Sequence, residues 1–287
     1  MTAKINLASK DKPVITDGAM ATMLFSLGFP TDQITDQANP NFPELVRKVH
    51  GEYVQAGARA LFTNTFNTFS GPACQDLEKV RLERLSLGIN HALDPPRENA
   101  CVFLALGPWA PTGDKAFLNA LLAASQRVSG IIFETCSSLH SLDWIQKLRD
   151  QWIYQPIAWG VSFSFLLENG KPVLPDGTTP HQVASMSRSK ELDFLGCNCG
   201  RNISLETTAQ IVVEYKGEFS KTIMARPNAG SPSENKEVPW IPLANNEFAR
   251  GAKKIVEAGA NWIGGCCGTT PAHIRALAED LQNKPGT

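Results

Sequence analysis

Along this chain, short runs of apolar and β-branched residues alternate with longer stretches whose apolar positions recur at helical spacing, and polar or glycine-containing junctions separate the two. Eight such units can be counted. Strands are expected at Val14–Asp17, Ala58–Asn64, Cys101–Gly107, Gly130–Glu134, Ile157–Ser162, Leu192–Asn198, Thr222–Pro227 and Asn261–Gly265. Most are continuously apolar rather than alternating, as parallel strands covered on both faces should be. Between them, Pro43 opens a helix whose Leu45, Val49, Tyr53 and Ala56 share a face before Gly57 ends it. The last helix starts from Thr270 as N-cap and Pro271 at its first position, with Ile274, Leu277, Ala278 and Leu281 on one side. Residues 78–93, 114–129, 138–149, 203–215 and 245–258 also read as helices, and 180–190 as a short polar one.

Eight βα units with no break in composition predict an α/β protein, a single-domain (β/α)8 TIM barrel over residues 1–287. An open doubly wound sheet usually has fewer strands and a glycine-rich phosphate loop, and neither GxGxxG nor GxxxxGK[ST] occurs. The Pro-, Asn- and Ser-rich stretch from Ser231 to Asn246 reads as a long βα loop rather than a linker.

Composition changes this picture mainly by exclusion. With 43% hydrophobic and 19% charged residues, the chain can fill a large core and is not a disordered one. A formal net charge of -1 without basic runs excludes a phosphate-tracking surface, so nucleic acid is not an expected partner. No uninterrupted apolar run reaches the roughly 18 residues of a membrane helix, and Met1 to Lys12 lacks an apolar core for a signal peptide. A soluble, cytoplasmic protein is therefore expected. Seven cysteines, an odd number with two adjacent, fit intracellular thiol or metal chemistry better than a disulfide framework.

In a βα barrel the C-terminal ends of the strands converge on one mouth, where such enzymes place their chemistry. The polar and thiol residues of this chain fall there: Asp17, the run Thr63, Asn64 and Thr65, then Glu134, Asn198, Cys199, Asn228, Cys266 and Cys267. Strands six and eight lie two places apart around the ring, so their upper thiols can share a metal. Three thiolates favour zinc, and a three-ligand set leaves the fourth tetrahedral position open for substrate. Cys197 is an alternative ligand if the strand stays extended through residue 199. A vicinal Cys266–Cys267 disulfide, or a zinc that only staples the barrel, are the competing readings. Cys74, Cys101 and Cys136 are expected as small buried hydrophobes. Asp17 and Glu134 suit the ammonium group of an amino-acid substrate, the alternative being a salt bridge or helix cap at the barrel rim. His140, His181 and His273 have no metal-ligand spacing and are expected at the surface.

These residues resemble the homocysteine S-methyltransferase family over nearly the whole chain. The landmarks are DGAMATML from Asp17, TNTF from Thr63, LGP from Leu106, FET from Phe133, DGTT from Asp176, GCNCG from Gly196, RPNAG from Arg226 and GGCCGTTPAHI from Gly264. The resemblance implies a Zn2+ ion bound by Cys199, Cys266 and Cys267. It also implies that Asp17 and Glu134 hold the amino group of homocysteine, in a pocket lined near Thr63, Asn64, Thr65 and Asn228. The implied reaction moves a methyl group onto the homocysteine thiol to give methionine.

The expected donor is a small sulfonium compound such as S-methylmethionine. A betaine-type donor is an alternative, although Phe66 and Phe69 stand where betaine enzymes carry a quaternary-ammonium cage, with Trp109 and Trp159 as further candidates for an aromatic wall. A third possibility is methyl transfer from a separate corrinoid protein, since DGAMATML looks more like the methionine synthase module than the betaine enzyme and the chain is expected to carry no cobalamin-binding domain.

Overall fold

The computed structural model describes residues 12–70, 76–95, 100–108, 115–151, 157–232 and 240–282. All eight expected strands form: β1 Val14–Ile15, β2 Ala60–Phe62, β3 Cys101–Leu106, β4 Gly130–Cys136, β5 Ala158–Phe163, β6 Phe194–Asn198, β7 Thr222–Arg226 and β8 Trp262–Ile263. Every pairing is parallel, in the order β1-β8-β7-β6-β5-β4-β3-β2. The ring closes between its ends through a Thr16–Ala60 bridge, with Arg59 N donating to Ile15 O at 2.7 Å and Asp17 N to Ala60 O at 2.9 Å. The result is a (β/α)8 barrel.

The barrel interior is aromatic. Phe103, Phe194 and Trp262 meet there with ring centroids 5.2 to 5.8 Å apart, and Ala60, Phe62, Cys101, Ala105, Ile132 and Met224 complete the cluster. Rings of that size fit because neighbouring strands present glycine. A Cβ on Gly160 would lie 1.8 Å from the Phe194 ring, and one on Gly130 would lie 2.2 Å from Phe103. Gly160→Ala is therefore expected to overpack the interior and cost about 3 kcal/mol, lowering the thermal midpoint by about 8 °C in a calorimetric scan. An unchanged midpoint would contradict this packing.

Outside the strands, the larger apolar cluster joins them to the helices, and Trp159 and Cys197 belong to it. The helices sit close to their expected positions, including Pro43–Gln55, Glu78–Leu93, Leu205–Glu218 and Pro271–Gln282. The short polar helix forms as Pro180–Arg188. It starts from a reciprocal cap, in which Thr179 accepts from Gln182 N while the Gln182 side chain accepts from Thr179 N. Two short antiparallel hairpins were not foreseen, Leu166–Glu168 with Lys171–Val173 and Gly230–Pro232 with Trp240–Pro242. The second brackets the Ser231–Asn246 loop, whose residues 233–239 lie outside the described residues. No helix among the described residues is long and apolar enough to cross a membrane.

Candidate functional site

At the C-terminal mouth of the barrel, the sulfurs of Cys199, Cys266 and Cys267 all lie within 4.8 Å of one another. Backbone geometry brings them there. Strand β6 ends at Asn198, and the chain then turns through two left-handed residues, Cys199 at φ 56° and Gly200 at φ 100°. A non-glycine residue in that region is uncommon and carries a local conformational cost. Here it breaks the strand alternation that would have sent residues 197 and 199 the same way. Cys197 packs outward among the core residues, 3% exposed, while Cys199 swings into the mouth. Cys197 is thus not part of the thiol cluster, and burial pushes its thiol up to about 12. Cys197→Ala should retain a full complement of metal and lose only about 1 kcal/mol of stability, which metal analysis beside a denaturation curve will show.

The vicinal pair is held by the segment after β7. Cys266 N donates to Pro227 O at 2.8 Å, and Ala229 N to Cys267 O at 2.9 Å. Gly264 and Gly265 let the chain pass close to its neighbours: a Cβ on either would lie 1.9 Å from Thr16 Oγ1 or 2.1 Å from Thr269 Oγ1. Both cysteines are free thiols, not a vicinal disulfide. The Cys199 and Cys267 sulfurs are 3.9 Å apart. Two thiolates on one tetrahedral zinc, each at about 2.3 Å, would be about 3.8 Å apart, so the donor set fits that ion in both chemistry and spacing. Thiol hydrogen bonds from Cys266 and Cys267 draw the Cys199 proton affinity down to about 3, and the same contacts raise Cys266 and Cys267.

Beside the sulfurs opens a cavity of about 480 Å³, which also reaches Asp17, Thr63, Asn64, Glu134 and Arg226. Its outer part is lined by Met20, Phe25, Ile34 and Phe66, with Thr22, Gln33 and Asn67 as neutral polar groups. Asp17 and Glu134 converge on one guanidinium. Arg226 donates to Asp17 Oδ1 at 2.9 Å, to Gly18 O at 3.1 Å and to Glu134 Oε1, while its plane lies 4.3 Å over the Phe62 ring. The other Asp17 oxygen accepts from Phe62 N at 2.8 Å. Desolvation raises Asp17 to about 7 against the opposing pull of Arg226, and raises Glu134 for the same reason.

Glu134 is aimed by an irregularity in β4. The register against β5 shifts between Phe133 and Cys136, and Thr135 adopts φ 61°. Asn198 clamps that strained residue: its Oδ1 accepts from Thr135 N at 3.1 Å and its Nδ2 donates to Thr135 Oγ1 at 2.9 Å. Ser162 Oγ donates to the same Asn198 oxygen at 2.6 Å and fixes the amide.

The remaining expected site residues divide. Thr63 and Asn64 line the cavity, but Thr65 does not; it is fully buried with its hydroxyl on Ala105 O at 2.7 Å. Asn228 sits behind Cys199, where its amide donates to Gly200 O at 3.4 Å and helps hold the Cys199 sulfur as thiolate. Phe69 packs on Phe117, and Trp159 is buried among the core residues outside the strands, so neither forms a cavity wall. Trp109 and Cys74 lie outside the described residues. His140 and His181 are exposed as expected, but His273 is not. It is 4% exposed because its two ring nitrogens are spent on Leu243 O and on the Thr270 cap that starts the last helix. Arg226 was not expected in the site from the sequence, and Asn198, expected at the mouth, serves there as the clamp on Thr135. The signal was present, since Arg226 ends β7 as Asp17 and Glu134 end their own strands, and a cation there faces the same mouth.

The family model described as homocysteine S-methyltransferase matches residues 14–281. Among curated relatives, Homocysteine S-methyltransferase of Escherichia coli is 28% identical, covering 94% of this chain and 96% of the relative. Homocysteine S-methyltransferase YbgG of Bacillus subtilis is 27% identical, covering 92% and 93%. The apo crystal structure of the homocysteine methyltransferase MmuM from Escherichia coli superposes with a TM-score of 0.70 at 25% identity, over 94% of this chain and 97% of that one. Its metallated form, at 24% identity and a TM-score of 0.72 over 94% and 96%, has the same fold. With the family model spanning the barrel from its first strand to its last helix, the chain belongs to the homocysteine S-methyltransferase family.

Proposed function

We propose that this protein transfers a methyl group to the thiol of homocysteine, giving methionine, with zinc at Cys199, Cys266 and Cys267 and S-methylmethionine as the donor. The observation that carries the reading is the convergence of three thiols on the cavity that also holds Asp17 and Glu134. Zinc, when bound, supplies the deprotonation of a substrate thiol that at its ordinary pKa of about 8.5 is only a few per cent thiolate at neutral pH.

The protein's own groups do the rest. Asp17 and Glu134 take the homocysteine ammonium and set the distance from that charge to the sulfur. Thr63 and Asn64 border the amino-acid end, and the Thr135–Asn198 clamp keeps Glu134 aimed at it. The homocysteine sulfur lone pair forms the new S–CH3 bond as the methyl–sulfonium bond of the donor breaks, and the bonding pair leaves on the donor sulfur. The cavity suits such a donor because Phe25 and Phe66 are among its lining residues, and aromatic rings stabilise a small cation that approaches their faces.

The test is a donor screen on zinc-loaded protein with homocysteine, reading methionine by mass spectrometry. Turnover with S-methylmethionine alone is expected. Turnover confined to betaine or to a methylated corrinoid protein would overturn the donor assignment, and no methionine from any donor would overturn the reading as a whole.

A further inference from the structure

Arg226 is the only cation lining the cavity among the described residues, and the acceptor chemistry above leaves it without a task. Resting on the homocysteine reading, we propose that Arg226 is a specificity-determining positioning residue. By bridging Asp17 and Glu134 it presets both carboxylates to receive an α-ammonium, and so restricts the acceptor to thiols that carry one.

Two carboxylates sharing a dry site repel each other, and one of them ordinarily takes up a proton. The Arg226 fork eases that conflict, since one guanidinium nitrogen serves each acid, and the stacking on Phe62 and the bond to Gly18 O fix its plane. A planar fork holds two carboxylates in register as a lysine cannot. With both acids ionised, the two carboxylates and one guanidinium leave the cluster one positive charge short of neutral. Glu134 Oε2 accepts no hydrogen bond from a described residue, and each carboxylate oxygen can accept more than one. The vacant acceptors and the missing positive charge match an ammonium with its three donors. A thiol without an amino group would leave that charge buried and uncompensated, beside a thiolate centre that is itself anionic.

The test is calorimetric titration of zinc-loaded protein with homocysteine and with γ-mercaptobutyrate, the same thiol acid without its amino group. Binding needs no donor, so the result does not depend on the donor's identity. The wild-type protein should bind homocysteine about fiftyfold more tightly than the des-amino acid, within the range expected for groups that orient a site. Arg226→Gln should shrink that ratio to below about fivefold by weakening homocysteine alone, and Arg226→Lys, which restores the charge but not the fork, should recover part of it. Absence of a wild-type preference overturns the proposal even if the glutamine variant does not fold. So does a variant that weakens both thiols equally, the result of a merely structural role or of contact with the shared carboxylate. Failure of the wild-type protein to bind either thiol overturns instead the homocysteine reading, and the proposal with it.

Discussion

Serine in place of Cys267 is expected to empty the metal site and lower methyl transfer by about three orders of magnitude. On the proposed reading the three sulfurs would hold the ion with nothing in reserve: among the described residues no other His, Cys, Asp or Glu joins their cluster, and Cys197 faces the helices. A serine hydroxyl stays protonated where a thiolate is needed, so the coordination energy of one ligand is lost outright. The acceptor then depends on its own small thiolate fraction, and also loses the placement of its sulfur beside the donor methyl. Metal content should fall from about one ion per chain to less than about a tenth. Cys199→Ser and Cys266→Ser should behave alike, while circular dichroism stays that of the folded barrel, because the strands and aromatic interior do not rest on these loops.

The second large effect belongs to the acids. Asp17→Asn and Glu134→Gln should each raise the KM for homocysteine by about a hundredfold, the cost of removing one partner from a buried charge pair, with kcat changed far less. The reason for the split is spatial. Asp17 and Glu134 line the same cavity as the three thiols, and in the proposed function they take the end of the substrate remote from its sulfur, so their loss should weaken binding while the thiol chemistry continues. Equal falls in kcat and kcat/KM with KM unchanged would place these acids in the chemical step. Asp17→Asn should also lower thermal stability modestly, since Arg226 would keep only Glu134 as an anionic partner.

Much of this architecture is legible in the order of residues, for identifiable reasons. Parallel strands buried on both faces leave continuous apolar runs, and five of the eight runs here end on or lead into a residue that lines the cavity: Asp17, Thr63, Glu134, Cys199 and Cys266. What periodicity does not encode is a departure from it. Cys199 joins the thiol cluster only through a left-handed backbone, and Thr135 redirects Glu134 through an irregularity that Asn198 stabilises. Neither leaves a trace in a hydrophobic pattern. Thr65 and Asn228 carry the right chemistry at the right strand ends, yet one bonds back to β3 and the other backs the thiol cluster. Strand ends give the neighbourhood of a side chain, and only tertiary packing decides its direction. His273 shows the same limit, because its ring satisfies a helix cap and a loop carbonyl that no local spacing announces.

Cys199, Cys266 and Cys267 are expected to hold a metal with one position left for the substrate thiol. X-ray absorption at the zinc edge, recorded on the loaded protein before and after adding homocysteine, tests it most directly. Three sulfur ligands and one lighter atom should become four sulfurs at about 2.3 Å on addition of the substrate. A spectrum with four protein ligands that homocysteine leaves unchanged would mean that the ion only staples the barrel, and would contradict the account.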